Sequence, residues 1–456
     1  MSHTIAAYSG GTLPAAIGVI RVSGADAFRL TDAVFAAKCG LPAAERSAGR
    51  MYYGELTAKD GRLLDLCLVC LYRAPASYTG EDMAEIFCHG SRPVVSEALE
   101  HLCAVGARPA EAGEFTRRAF LNGKTDLIRS EATADLIYAA SPLAAKAAAA
   151  QLGGAVSGEI GAVSESLRAM LAHFYAVCDY TDEDIDPFEY ERAAERLGAA
   201  AERLERLHAA FERGRVVRDG LPVVLLGRPN GGKSTLFNAL VGQERAIVTE
   251  EAGTTRDVIE AVISCGGAAI RLMDTAGLRE PEGQAEAMGI GLTVRAAESS
   301  AAAICVWDAA EPESDDDLRA ARLAGERESW AIVINKSDRA TERQLAETAQ
   351  RARRLAPAVF ALSARTGQGL EELADWLAEL PPRPDELLIT SARQAALLRQ
   401  AAESLRLAQS SAEAGMTADA FLSDAERALS LLRQATGEEA DADIAAEIFS
   451  RFCVGK

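Results

Sequence analysis

No apolar stretch of this chain is long enough to cross a bilayer as a helix. The first residues, MSHTIAAYSGGTLPAAIGVIRVSG, lack the basic start and unbroken apolar run of a secretion signal. The expected location is therefore cytoplasmic, with no membrane partner. A cationic excess is missing as well: Lys and Arg number 48 against 67 Asp and Glu, a formal charge of −19. Proteins that grip nucleic acid through its phosphates present a basic face. Any RNA contact here must be local, as at Arg117, Arg118, Lys124 and Arg129, or come through a partner. Taken as a whole, the acid excess reads as a solubilising surface.

The nine cysteines form no framework, being odd in number and scattered from Cys39 to Cys453. In a reducing compartment they act as small apolar side chains. Cys67 and Cys70 have C-x-x-C spacing, with Cys88-His89 further on. Yet DLCLVCLY has the pattern of a buried strand, on which positions three apart face opposite ways. Zinc needs such a pair on a turn, so no zinc site is expected.

What is present is length and alternation. With 456 residues the chain exceeds one compact core, and two to four domains are expected. Residues 1–120 mix strand-like runs (AAIGVIRVSG, DLCLVCLY, MAEIFCHG) with the helical RPVVSEALEHLCAVGA. Over 121–215 the period turns helical: Leu152, Val156, Ile160, Val163, Leu167, Leu171, Phe174 and Val177 predict one long amphipathic helix. A second helix, with Leu197, Leu204, Leu207 and Phe211 on one face, follows the acidic DYTDEDIDP. Strand and helix alternate over 216–380, until PPRPDE interrupts. Residues 381–456 are helical again (Leu397, Leu405, Phe421, Leu429, Leu432) and end in FCVGK. The predicted fold is thus an α/β N-terminal domain and a discontinuous all-α domain into which an α/β nucleotide domain is inserted. No internal repeat is visible.

GRPNGGKS, from Gly227 to Ser234, fits the phosphate-binding pattern G-x-x-x-x-G-K-[ST]. It follows the strand VVLL and opens the helix STLFNAL, the context the pattern requires. Backbone N–H groups around Asn230, Gly231 and Gly232 would close on phosphates, with the helix dipole behind them. Lys233 would reach the terminal phosphates; Ser234, followed by Thr235, would offer its hydroxyl to Mg²⁺. AGTTRD holds Thr255, a second Mg²⁺ ligand that senses the γ-phosphate. LMDTAGL ends a strand at Asp274, placed to orient Mg²⁺ through water, and Thr275-Ala276-Gly277 follow with the Gly277 N–H aimed at the γ-phosphate.

AIVINKSD carries Asn335, Lys336, Ser337 and Asp338. The Asp338 carboxylate can accept from guanine N1–H and the exocyclic amine, a donor pair that adenine lacks. ALSART then places Ser363, Ala364 and Arg365 beside the base. Four motifs in this order predict GTP and GDP as ligands. The residue after DTAG is Leu278, which cannot polarise water, so another acid or another chain must do so. Glu280, Glu282 and Glu286 are the nearby candidates.

From end to end the sequence resembles the MnmE (TrmE) family of tRNA modification GTPases. The G motifs are shared with ribosome-assembly GTPases; SYTGEDMAEIFCHG, GEFTRRAFLNGKTDLIRSEATADLI, the DEDID break and the terminal FCVGK are more specific. The resemblance implies a Ras-like G domain and an N-terminal domain that dimerises and binds 5-formyl-tetrahydrofolate or a related folate. It assigns folate contacts to Arg21, Glu85, Lys124 and Lys456, the cations suiting the glutamate carboxylates and Glu85 the pterin donors. SGGTLPAA stands where the family carries a Pro-Gly-rich segment, so the loop before Arg21 departs from the pattern.

The same resemblance gives the water-orienting role to Glu286 and places Cys453 near the folate, with a part in modification. It runs the GTP contacts over Thr249, Glu250, Glu251, Ala252, Gly253 and Thr254. K⁺ would be held by Asn230, Thr249, Glu251 and Thr254, and hydrolysis stimulated by K⁺ through pairing of G domains. The implied partner is an FAD- and NADH-dependent protein that joins the homodimer in a heterotetramer, and the implied substrate the wobble uridine of certain tRNAs, modified at carbon 5. The alternative is a ribosome-assembly switch; a basic KH-like appendage would favour it, and none is visible.

Overall fold

The computed structural model describes residues 3–180, 185–243, 259–274, 293–382, 387–416, 418–439, 442–450 and 452–455. The chain divides into two compact units. The first comprises Met1–Ala134, Ser157–Leu197 and Ser404–Lys456; the second comprises Asp135–Val156 and Gly198–Glu403.

The first unit is built on a seven-stranded sheet. Its members are β1 (Ile5–Tyr8), β2 (Ala15–Ser23), β3 (Phe35–Ala37), β4 (Met51–Thr57), β5 (Leu63–Tyr72), β6 (Met83–Gly90) and β7 (Arg108–Pro109), in the order β3-β4-β5-β6-β2-β1-β7. All neighbours are antiparallel except β1 and β7. Helices α1 (Ala27–Val34) and α2 (Arg92–Ala104) cover one face, burying Leu30, Val34, Ala98 and Leu102 against Ile20, Val22, Leu56, Val69 and Ile86. Strand side chains alternate between faces. Cys67 accordingly joins this core, while Cys70 lies on the other face; burial pushes the Cys67 thiol up to about 12 and Cys88 up to about 11.

The opposite face carries register rows. Tyr53, Leu68, Phe87 and Val19 lie side by side across β4, β5, β6 and β2, and Met51, Cys70, Glu85 and Arg21 form the next row. Met51, Tyr53, Leu66 and Leu68 are exposed there.

After α3 (Glu114–Leu121) and α4 (Leu127–Ile137) come α5 (Pro142–Leu152) and α6 (Ala155–Asp179). The single long helix expected from Leu152 onward is α6, which holds the other seven named residues but starts at Ala155 and leaves Leu152 in α5. Gly153 and Gly154 separate them, Gly154 at φ 89, a conformation glycine alone takes readily, and Leu152 closes the earlier helix with an exposed side chain. The next expected helix also breaks: α7 (Tyr190–Ala209) stops one residue short of α8 (Phe211–Asp219), and Phe211 opens the second piece. Within the first unit Phe174, Phe188, Tyr190 and Phe421 pack ring against ring at 5.0–5.8 Å.

The second unit holds a six-stranded sheet: β8 (Leu221–Leu226), β9 (Ile259–Cys265), β10 (Ala268–Asp274), β11 (Ala302–Asp308), β12 (Ser329–Asn335) and β13 (Ala358–Ala361). The order is β13-β12-β11-β8-β10-β9, parallel except for β9 against β10. Both faces are covered, so β8 divides its residues between two cores. Val223 and Leu225 meet Leu236 and Leu240 of α9 (Lys233–Gln243), whereas Val224 and Leu226 share a cluster with Ala321 and Ala324 of α10 (Asp315–Ala324). Near-continuous apolar runs such as LPVVLL and AAICVWD are what a doubly covered parallel sheet demands. Helices α11 (Glu342–Ala352) and α12 (Leu370–Glu379) complete the layers, and α13 (Ala392–Glu413), α14 (Ala418–Thr436) and α15 (Ala442–Ser450) follow.

Candidate functional site

In an open parallel sheet, ligands gather at the carboxyl ends of the strands. The second unit collects its polar side chains there. β8 runs into the loop Gly227–Gly232, and α9 starts at Lys233. Gly227 (φ 136) lies against Val306, whose carbonyl would be 2.5 Å from an added Cβ; Gly232 (φ 97) is as tightly held, with Asn335 Nδ2 at 2.2 Å. Asn230 is one of two described non-glycine residues with positive φ, at 61°. Lys233 folds back over the loop and donates to the carbonyls of Gly227 (2.8 Å) and Arg228 (3.0 Å). The Arg228 guanidinium turns instead to Glu311 (3.0 Å) and Asp317 (3.6 Å), and so does not face the phosphate loop's interior.

On the base side, Asn335 is spent on bracing. Its Oδ1 accepts from the Lys336 N–H (2.8 Å) and the Ala364 N–H (3.0 Å), and its amide leans on the Gly231 and Gly232 carbonyls at 3.4 Å. Lys336 (φ 62) sends its ammonium to the Asn230 carbonyl at 2.7 Å and to Asp308 at 2.6 Å. Ser363 donates to Asp338 Oδ1 at 2.7 Å, and Arg365 to Oδ2 at 2.9 Å. The Ser363 hydroxyl, with Arg365 beside it, holds the Asp338 carboxyl below its usual value. A carboxylate has about four acceptor positions, so two remain for a ligand. Gly232, Thr235, Asn335, Lys336, Asp338, Ser363 and Arg365 line one pocket.

Asp274 closes β10 and is buried, while Ser234 at the start of α9 is exposed. Thr249, Glu250, Glu251, Ala252, Gly253, Thr254, Thr255, Thr275, Ala276, Gly277, Leu278, Glu280, Glu282, Glu286 and Lys456 lie outside the described residues.

In the first unit Arg21 and Glu85, neighbours in register on β2 and β6, form one ion pair at 2.8 Å on the face away from α1 and α2. Tyr72 donates to the same carboxylate at 3.1 Å, and the Arg21 guanidinium sits 5.5 Å over the Tyr78 ring. Lys124 donates to the Pro75 carbonyl at 2.9 Å, on the same 73–82 loop that carries Tyr78. The end of the chain is pinned beside them. Val454 bridges to Ala112, Gly455 accepts from Ser9 Oγ at 2.7 Å, and Arg21 reaches the same carbonyl at 3.4 Å. Cys453 is exposed on this segment. No group of three or more metal-ligating side chains occurs among the described residues.

Sequence reasoning missed Asp308, Tyr72, Tyr78 and the Ser9–Gly455 link. Asp308 had a legible signal, a polar residue closing an apolar strand, AAICVWD. The others are contacts across long sequence separations, which no local pattern announces.

A doubly covered parallel sheet with a phosphate loop at its first strand and a base-side loop two strands away defines a P-loop protein of the G-domain class. Two family models match: the GTP-binding protein TrmE N-terminus over residues 4–124 and the MnmE helical domain over residues 127–453. A tRNA modification GTPase MnmE of Symbiobacterium thermophilum is 38% identical over 456 residues, covering 100% of this chain and 99% of the relative. That of Chloroflexus aurantiacus is 39% identical over 462 residues, covering 100% of both. Among solved structures, a point variant of Aquifex aeolicus Era bound to GDP.AlF4- aligns at 24% identity and a TM-score of 0.30, over 41% of this chain and 66% of that one. The chain belongs to the MnmE family of tRNA modification GTPases.

Proposed function

We propose that this chain hydrolyses GTP and, with a partner, modifies the wobble uridine of certain tRNAs at carbon 5. The observation that carries the nucleotide part is the Asp338 carboxylate, held ionised and oriented by Ser363 and Arg365 with two acceptor positions left. Guanine N1–H and its amine match that pair, and adenine does not. Lys233 and the N–H groups of the 227–232 loop bind the phosphates.

Mg²⁺ fits the hard oxygen donors Ser234 and Asp274, joined by Thr255; it would neutralise charge on the β- and γ-phosphates. The K⁺ ligands are Asn230, Thr249, Glu251 and Thr254, of which Asn230, at φ 61, is the described one. Bound there, K⁺ would supply positive charge where other GTPases use an arginine, a part that Arg228 cannot take while it pairs with Glu311 and Asp317. Glu286 orients the attacking water when two G domains pair.

The folate donor is held by the first unit through Arg21, Glu85, Lys124 and Lys456. Arg21 also clamps Glu85, so it both binds and orients. Cys453 acts in modification and not in hydrolysis. The exposed Met51, Tyr53, Leu66 and Leu68 face supports a homodimer, since an apolar patch of this kind marks an interface. An FAD- and NADH-dependent protein completes a heterotetramer and carries much of the tRNA contact, a division that suits the charge of −19. The cytoplasm is the site of action; no described helix is long and apolar enough to cross a membrane. Nucleoside analysis of a deletion strain tests the whole reading: wobble uridines should lose their carbon-5 group. Modification at the level of the parent strain would favour the ribosome-assembly alternative.

A further inference from the structure

Lys336 occupies the left-handed region at φ 62, which a side-chain-bearing residue holds only when its surroundings impose it. Its neighbours show how. The ammonium is shared between the Asn230 carbonyl of the phosphate loop (2.7 Å) and Asp308 Oδ2 (2.6 Å). Asp308 closes β11 and pairs in register with Asn335, so its carboxylate starts one residue from the lysine it binds. It is 5% exposed, and its second oxygen accepts from the Ala310 N–H at 2.9 Å. The carboxylate is thus oriented by a contact independent of the lysine, and an oriented, buried anion sets where a cation must sit.

We infer that Asp308 is a positioning residue for guanine-nucleotide binding, locking Lys336 onto the Asn230 carbonyl so that base loop and phosphate loop close as one. The inference rests on the guanine-nucleotide reading above and adds a residue to it. Asp308 is not among the residues that line the pocket formed by Gly232, Asn335, Lys336 and Asp338. Its loss lets Lys336 leave the phosphate loop, so bound nucleotide escapes faster. Base choice stays with Asp338.

The test uses the full chain and fluorescent mant-GDP, with release followed by stopped flow. Asp308→Asn removes the anion. Asp308→Ser keeps an acceptor for the Ala310 N–H but cannot reach the ammonium, which separates loss of the turn from loss of the lock. Both should speed release about tenfold, the scale of one charge-assisted hydrogen bond, with the preference for GDP over XDP unchanged. In a Lys336→Met background neither substitution should add anything, because the group it acts through is gone. Release unchanged in both variants, or effects that add to Lys336→Met, would overturn the inference while leaving the guanine reading intact. Failure of the unsubstituted chain to bind mant-GDP would overturn both.

Discussion

The two sheets hold their chemistry in different places. In the second unit both faces are covered, and the polar residues collect where strands stop, at Gly227, Asp274, Asp308, Asn335 and Ser363. In the first unit Arg21 and Glu85 meet in mid-strand, paired by register, on the face away from α1 and α2. Strand ends offer backbone N–H groups and positive-φ turns, so that site is made largely of main chain. A sheet face offers only side chains. The first kind should fail when space is taken from it, the second when a partner is removed.

The sharpest way to break this contrast is Gly232→Ala. The residue has φ 97, and its Cβ would lie 2.2 Å from Asn335 Nδ2, between the two loops. Backbone strain of this kind is worth about 1–3 kcal/mol before the clash is counted, so mant-GDP affinity should fall about a hundredfold or more. Melting of the first unit should not change. Retained affinity would mean the site is less dependent on its main chain than described.

A comparable stability effect is expected from Arg118→Met in the first unit. Arg118 is buried and joins Glu81 (2.8 Å) to Glu114 (3.0 Å), and Arg108 also pairs with Glu114. Removing it takes the shared cation from both carboxylates, while Arg108 stays on Glu114 and Ser23 on Glu81, a loss of about 1–3 kcal/mol by denaturant titration. Nucleotide binding, made in the other unit, should stay intact in the folded fraction.

The same network carries a pH dependence. Burial pushes the Glu114 carboxyl up, but the Glu111 N–H and the Arg118 and Arg108 guanidiniums outweigh it, leaving it below its ordinary value. A depressed acid stabilises the fold above its unfolded value, about 4.3, and that stability is lost as pH falls through the folded value. Below pH about 4.3 the first unit should lose stability steadily, and Glu114→Gln should flatten that slope. An unchanged slope would place the acid sensitivity elsewhere.

The smallest effects are expected at exposed residues with few structural duties, Leu68 and Cys453. Leu68→Asp should leave the melting curve nearly unchanged yet shift sedimentation from dimer to monomer. Cys453→Ser should keep GTP hydrolysis while tRNA modification falls. Modification at the parental level would leave the thiol without a role.

How much of this was legible beforehand differs between the units for a physical reason. The phosphate loop, Asp274, the Asn335–Asp338 run and Ser363 were readable because each is a short motif at a strand end, where local geometry dictates the residue. The strands around Cys67 and Cys70 were readable from alternation. The long helix over Val156–Val177 was readable, but its start was placed one turn early at Leu152, because apolar spacing continues through Gly153-Gly154 and periodicity alone cannot see a turn that keeps phase. Phe211 misled in the same way. The Asp308–Lys336 lock and the pinning of Gly455 by Ser9 and Arg21 depend on which strands become neighbours, and that is a property of the assembled sheet.

The central claim is that Asp338 reads guanine, and exchange of one acceptor tests it most directly. Competition of mant-GDP by GDP and XDP should be measured on the unsubstituted chain and on Asp338→Asn. The unsubstituted chain should prefer GDP strongly. The variant, with a donor where an acceptor stood, should lose GDP affinity by about two orders of magnitude or more and prefer XDP. A variant that still prefers GDP would contradict the account.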